Sequence, residues 1–195
     1  MKNKFIDYFS RISPLSKEEA DAIAESMQTK KFKKGDFLVK DGQFSTKTYF
    51  ILEGCVREYV LNDGEEKTTN FITEEQWAIS LNSFAPQKAA GYNWICVEDT
   101  WVVEGDEQQG QALFKRFPRF ETISRTIMEA AFTKQKESLT SYYTDSPEQR
   151  YMKLMKSRPG LFERIPQYHL ASYIGVKPES LSRIRKRIAS GLNDT

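Results

Sequence analysis

Hydrophobic positions along the chain change period twice, and each change marks a different kind of structure. Phe5, Ile6 and Phe9 recur at helical spacing, and Ser16 followed by Glu19 makes a capping box that opens a run carrying Ala20, Ile23, Ala24 and Met27. Residues 4–29 are therefore expected to be helical, as a lid or brace. From Phe32 to about Asp106 the texture becomes short β-rich runs: Phe37–Val39, Tyr49–Leu52, Cys55–Val60, Thr68–Ile72, Trp94–Val97 and Thr100–Val103. Lys34-Gly35-Asp36, Asp41-Gly42, Glu53-Gly54, Asn62-Asp63-Gly64 and Glu104-Gly105-Asp106 punctuate them. Asp63-Gly64 between two such runs predicts a hairpin, and many short strands at this spacing predict a sandwich, barrel or jelly roll.

After Gly110 the pattern is helical again. No Gly or Pro interrupts the chain after Pro118 until beyond Tyr142, enough for a helix of roughly 37 Å. Its residues Phe120, Ile123, Ile127, Ala130 and Ala131 form one stripe suited to a partner helix, so they are the expected dimer interface. The alternative is a core helix lying on the β region. Ser146-Pro147-Glu148 then supplies an N-cap with proline at the first helical position, opening a helix through Tyr151, Leu154 and Met155 to about Ser157. Arg158-Pro159-Gly160 ends it, and the boundary near Asp145 reads as a hinge between helices.

The segment from Gln167 to Ile188 reads as helix, tight turn, helix. Ala171 is small where two crossing helices approach, and Gly175 permits the positive φ of the turn. Leu170, Ile174, Val176, Leu181 and Ile184 fill the wedge. At about 100° per residue the second helix buries Leu181, Ile184 and Ile188 and exposes Glu179, Ser182, Arg183 and Lys186, with Ser180 and Arg187 flanking. Arg185 lies near the buried stripe and is expected to snorkel to solvent. The exposed face suits a major groove. Arg183 can pair bidentately with guanine and Glu179 can accept from a cytosine amino group, while Lys177, Ser180, Ser182, Lys186 and Arg187 suit phosphates.

Charge sharpens that reading. The 195 residues carry 29 Lys+Arg and 27 Asp+Glu, a near-neutral sum. Residues 146–195 hold ten basic and four acidic side chains, a net of +6, which leaves −4 for the rest. A basic end on an acidic body is the asymmetry expected when one module meets a polyanion. No uninterrupted apolar run exceeds four residues, and the start has no apolar signal core, so the protein is expected to be soluble and cytoplasmic. Two cysteines, Cys55 and Cys96, and a single His169 cannot build a disulfide framework, an iron-sulfur cluster or a multi-imidazole site. Neither a metal nor a cofactor is expected. A jelly-roll enzyme of cupin type would need several histidines in the β region, where there are none.

The order of parts resembles the Crp/Fnr family of bacterial transcription regulators. In the β half the resemblance rests on Lys34-Gly35-Asp36-Phe37-Leu38, Asp41-Gly42 and the stretch Tyr49–Tyr59, and in the last part on Glu179-Ser180-Leu181-Ser182-Arg183. It implies an α+β fold with an N-terminal double-stranded β-helix of the cyclic-nucleotide-binding type and N-terminal helices over 1–116. A long dimerisation helix over 117–144 and a helix-turn-helix domain over 145–195 would follow. It also implies a homodimer on palindromic double-stranded DNA, RNA polymerase as a partner and an unknown small-molecule effector, with Glu179 and Arg183 as base readers. Two features depart from the family. Pro178 stands where many members have an arginine, and the sequence ends soon after the second helix of the motif, where a β wing would follow.

The family's nucleotide site uses a Gly-Glu pair and an arginine followed by Ser or Thr. This sequence has no arginine from 58 to 115, and the stretch Glu74–Lys88 contains no glycine. Lys88 is a weak substitute for a fixed cation, so tight cyclic AMP binding is not expected. Trp77, Phe84, Trp94 and Trp101 are expected to form an aromatic roll interior. A ligand- or protein-binding module without specific DNA recognition is the alternative function.

Overall fold

The computed structural model describes residues 2–80 and 89–191. The described elements run α1 (Lys2–Ile12), α2 (Lys17–Ser26), β1 (Gln28–Phe32), β2 (Phe37–Val39), β3 (Lys47–Glu53), β4 (Val56–Asn62), β5 (Glu65–Ile72), β6 (Trp77–Ile79), β7 (Asn93–Cys96), β8 (Thr100–Asp106), α3 (Glu107–Arg116), α4 (Arg119–Thr144), α5 (Pro147–Ser157), α6 (Leu161–Arg164), α7 (Gln167–Ile174) and α8 (Pro178–Ala189). The strands form two sheets, ordered β1-β8-β3-β6 and β2-β7-β4-β5. β8 pairs antiparallel with β1 and β3, and β2 with β7, giving the expected jelly roll flanked by helices. No helix among the described residues is long and apolar enough to cross a membrane.

Strand alternation divides the apolar side chains between two clusters. Val39, Ile51, Val56, Trp94 and Val102 meet inside the roll. Their neighbours Phe50, Leu52 and Val103 face outward and are covered by Phe5 and Phe9 of α1, Ile23 of α2, and Phe120, Ile123 and Ile127 of α4. Trp77 and Trp101 pack against this second cluster. That corrects the expected aromatic interior: Ala78 and Val102 take the inward positions, so the adjacent tryptophans face out. Trp94 is inside as expected, and Phe84 lies outside the described residues.

The chain gathers into two compact units, residues 1–58 with 71–133, and residues 59–70 with 134–195. In the first, Ser16 and Glu19 form the predicted capping box, with Ser16 N–H donating to Glu19 at 2.7 Å and Glu19 N–H to the Ser16 hydroxyl at 3.2 Å. The helical expectation for residues 4–29 fails at its end, because Gln28–Phe32 is strand β1, paired with β8 and burying only Phe32. β8 also runs through Gly105 to Asp106, whose carboxylate caps α3 by accepting Gln109 N–H at 2.9 Å. Gly110, expected to precede the helical region, therefore lies inside a helix.

In the second unit α5–α8 pack around Tyr151, Leu154, Leu161, Ile165, Leu170 and Ile174, all less than a tenth exposed. Ser146 and Gln149 form a capping box at the start of α5, with Pro147 in the first turn. Residues 59–70 are the outer part of the β4–β5 hairpin. Asp63 (φ 52°) and Gly64 (φ 79°) are both left-handed, as a two-residue hairpin turn requires.

Candidate nucleic-acid interface

Helix α7 ends on Gly175, whose φ of 76° is left-handed. The Val176 N–H donates back to Ala171 O at 2.9 Å, and Ala171 is fully buried. The turn sends the chain into α8 with Pro178 in its first turn. Leu181 and Ile184 are buried at 1% and 6% exposure, so α8 has one fixed inner face. Glu179, Ser182, Arg183, Lys186 and Lys177 are exposed, as is Arg185, and Ser180 is half-buried. Arg183 donates to the Ser180 hydroxyl at 3.2 Å. Arg187 is turned toward α5, where it pairs with Glu148 at 3.0 Å. A hollow of about 380 Å³ lies along α8 between Arg183, Arg187 and the first turn of α5.

Two further devices hold this unit. Arg150 donates from Nε to Ile174 O at 2.9 Å, and from Nη1 to Tyr142 O at 3.0 Å and Asp145 O at 2.6 Å. It therefore fixes the C-terminus of α7 to the end of α4 and lies 5.0 Å from the Tyr142 ring centre. Asp145 accepts from Lys153 at 2.6 Å, and that bond holds its carboxyl below the usual aspartate range. The hairpin supplies the second device. Ser172 of α7 accepts from Thr68 N–H at 2.9 Å and donates to Glu66 O at 3.2 Å.

Within the roll, the Trp94 indole donates to Glu58 at 2.8 Å, and burial pushes the Tyr49 hydroxyl up to about 12. Cys55 and Cys96 are buried, and burial raises the Cys96 thiol to about 11, where it is neutral and unreactive at pH 7. Arg57, 2% exposed, follows Val56 and precedes Glu58, so alternation places it on the strand face opposite those two. Lys88 lies outside the described residues. No group of three metal-ligating side chains forms among the described residues.

Residues 29–117 match the cyclic nucleotide-binding domain family. No curated protein sequence matches the chain. Solved structures share its fold at low identity. A protein described as a Crp/Fnr-family transcriptional regulator from Eubacterium rectale superposes with a TM-score of 0.69 at 15% identity, over 97% of this chain and 91% of its own. The c-di-GMP-responsive global regulator CLP of Xanthomonas campestris gives 0.69 at 14% identity, over 92% and 95%. The catabolite activator protein of Thermus thermophilus gives 0.55 at 18%, over 94% and 87%. The fold, a β roll followed by a long helix and a C-terminal helical bundle, is shared with these structures.

The long helix differs in detail from the sequence expectation. Phe120, Ile123 and Ile127 are 1%, 5% and 8% exposed and pack against α1, α2 and the outer face of the roll. They are moved from the expected dimer stripe to the chain's own core, because α1 and α2 cover that side of α4. Ala130 and Ala131 are exposed. Beyond them Phe132, Leu139 and Tyr143 are 68%, 56% and 79% exposed and lie on one helical stripe. The sequence reading missed this stripe, since the polar residues between its members hide it. It also counted Arg150 only as charge, although its guanidinium ends on the carbonyls of Tyr142, Asp145 and Ile174. The Ser172 bridge joins residues about a hundred positions apart and had no sequence signature.

Proposed function

We propose that this protein is a sequence-specific, homodimeric DNA-binding transcription regulator of the Crp/Fnr type, acting in the cytoplasm on duplex DNA with a two-fold site. The supporting observation is the two-sidedness of α8. Leu181 and Ile184 seat it on α7 across a left-handed glycine turn, while Glu179, Ser182, Arg183 and Lys186 stand exposed on the other side. That face carries one guanine reader, one cytosine reader and cations for phosphates, the combination a major-groove helix needs. Arg183 and Glu179 read bases. Lys177, Ser180, Ser182 and Lys186 meet phosphates, and Arg187 joins them by exchanging Glu148 for a phosphate oxygen.

The dimer forms along α4 through Phe132, Leu139 and Tyr143, with Ala131 at the edge of that stripe, which removes exposed apolar surface from water. RNA polymerase is the partner through which a bound dimer acts. The cyclic nucleotide-binding domain does not take cyclic AMP tightly, because the sequence offers no arginine from 58 to 115 to pair with the cyclic phosphate. The protein acts through binding and not as an enzyme.

The test is selection from random duplexes by the purified protein, followed by comparison of two variants. An inverted repeat should be enriched. Arg183→Ala should then relax specificity at one base pair in each half-site, with a loss of roughly 1–3 kcal/mol, whereas Lys186→Ala should weaken all sequences alike and flatten the salt slope. Equal, sequence-independent losses in both would refute the face assignment. Failure to enrich any motif would favour a protein- or ligand-binding module without specific DNA recognition.

A further inference from the structure

The first compact unit contains a cavity that the DNA-binding reading does not use. It lies outside the roll, between α1, α2, the outer faces of β3 and β8, α3 and α4, and has a volume of about 320 Å³. Its walls include Met27, Trp77, Leu113, Phe114, Phe120 and Met128. We infer that this cleft is a binding site for a small, uncharged, apolar molecule, distinct from the interior of the cyclic nucleotide-binding domain.

The cleft is framed so that it cannot simply close. Arg119, at the start of α4, donates to both Glu19 oxygens at 3.1 and 3.3 Å and to Pro14 O at 2.9 Å, and it also bonds the Ser13 hydroxyl. Arg116 of α3 pairs with Glu25 of α2 at 3.6 Å. α2 is thereby tied to α3 and to α4, two helices that line the cleft. Behind it, Phe5, Phe9, Phe50 and Trp77 lock one another by ring contacts with centroids 4.9 to 6.3 Å apart. Collapse would require breaking ion pairs or shifting interlocked rings. The apolar walls therefore stay accessible to water, and a ligand that covers them gains the free energy of removing that surface from solvent.

The charges around the cleft decide the class of occupant. Glu104 and Asp106 both receive Lys47, at 3.5 and 3.3 Å, and Asp106 also caps α3. Arg125 faces Glu129 at 3.9 Å, and Glu107 stands in solvent in the first turn of α3. An anion would lose its hydration without gaining an unengaged cation, and a cation would meet only Glu107, which is already hydrated in solvent. An uncharged ligand loses little and gains the apolar walls. The volume is about twice the roughly 150 Å³ that takes benzene, which sets the occupant at about a dozen heavy atoms within the walls.

The experiment uses the full-length protein and two probes with one skeleton. N-phenyl-1-naphthylamine is neutral and fluoresces in apolar surroundings, and 1-anilinonaphthalene-8-sulfonate adds only an anionic group. Titration should show saturable binding of the neutral probe, one per protomer, at least tenfold tighter than the sulfonate. Ser124→Trp, which fills the cleft from α4, should weaken the neutral probe at least tenfold with the thermal midpoint retained. Met128→Glu, which places a charge in the wall, should do the same if Ser124→Trp does not fold. Glu58→Gln, inside the roll, should leave binding unchanged. Equal affinity for both probes, or no response to either cleft variant, would overturn the inference. So would loss of probe binding as the protein is concentrated into dimers, because the opening would then be covered by a second copy. No DNA enters the measurement, so its failure is separable from failure of the regulator reading.

Discussion

The Ser172 hydroxyl is held between two backbone groups of the β4–β5 hairpin, accepting from Thr68 N–H at 2.9 Å and donating to Glu66 O at 3.2 Å. A single side chain thus joins the first helix of the helix-turn-helix to strand β5. Thr68 is 6% exposed, so its amide has little access to water as a replacement partner.

Replacing Ser172 by alanine should therefore cost about 1–2 kcal/mol, reduced by up to about 0.5 kcal/mol because alanine is the better helix former. The diagnostic reading is local. Hydrogen exchange at the Thr68 amide should accelerate more than at neighbouring hairpin amides, and unchanged protection there would show that the bridge does not form in solution.

A side chain at Gly175 should be costly. A β-carbon added there would sit 3.2 Å from the Tyr142 ring and 3.4 Å from Arg150 Nη2, and φ is already left-handed. Gly175→Ala should lose about 1–2 kcal/mol for the backbone conformation alone, with more for the contact. In a Tyr142→Ala background the contact share should disappear and the backbone share remain. Thermal denaturation of the four proteins of that cycle measures the split.

Glu19 makes the first unit sensitive to acid. Its carboxylate accepts from the Ser16 backbone and from Arg119, and these hold its pKa below the ordinary glutamate value, the backbone bond most strongly. A depressed folded-state value means that the stabilisation is complete above the unfolded-state pKa of about 4.3 and is lost as pH falls through the lower folded-state value. Wild type should be more stable than Glu19→Gln at pH 7, and the gap in thermal midpoint should close below about pH 4. A gap that stayed constant with pH would show that the ion pair and cap contribute through packing only.

Leu139→Asp should give monomers by light scattering and abolish binding to a two-fold site while leaving the thermal midpoint of the monomer nearly unchanged, because Leu139 is 56% exposed. Ile127→Asp is a poor probe of the dimer. At 8% exposure that side chain belongs to the core, and a carboxylate there should unfold the first unit. A wild type that is monomeric at micromolar concentration would overturn the proposed α4 pairing.

Much of the architecture was legible in local chemistry. Ser16-Glu19, Asp63-Gly64, Ser146-Pro147 and Gly175 each specify a cap or turn through atoms within a few residues, so each was readable without the fold. What failed were choices between two surfaces. Gln28–Phe32 has one apolar residue and becomes a strand because β8 offers it a partner. Trp77 and Trp101 are as apolar as Trp94, and only the parity of their strands decides which lies inside the roll.

The sequence by itself determined that there is a β-rich, net acidic part, a long helix and a basic helix-turn-helix with Arg183, Glu179 and Lys186 on one face, since periodicity and charge are properties of adjacent residues. Tertiary structure alone decided which side of α4 is free, because α1 and α2 cover Phe120, Ile123 and Ile127 and leave Phe132 and Leu139 bare. It alone directed Arg150 to carbonyls and Arg187 to Glu148, and opened the apolar cleft beside α4. Each of these depends on partners far along the chain, and a count of residue types carries no information about which of them meet.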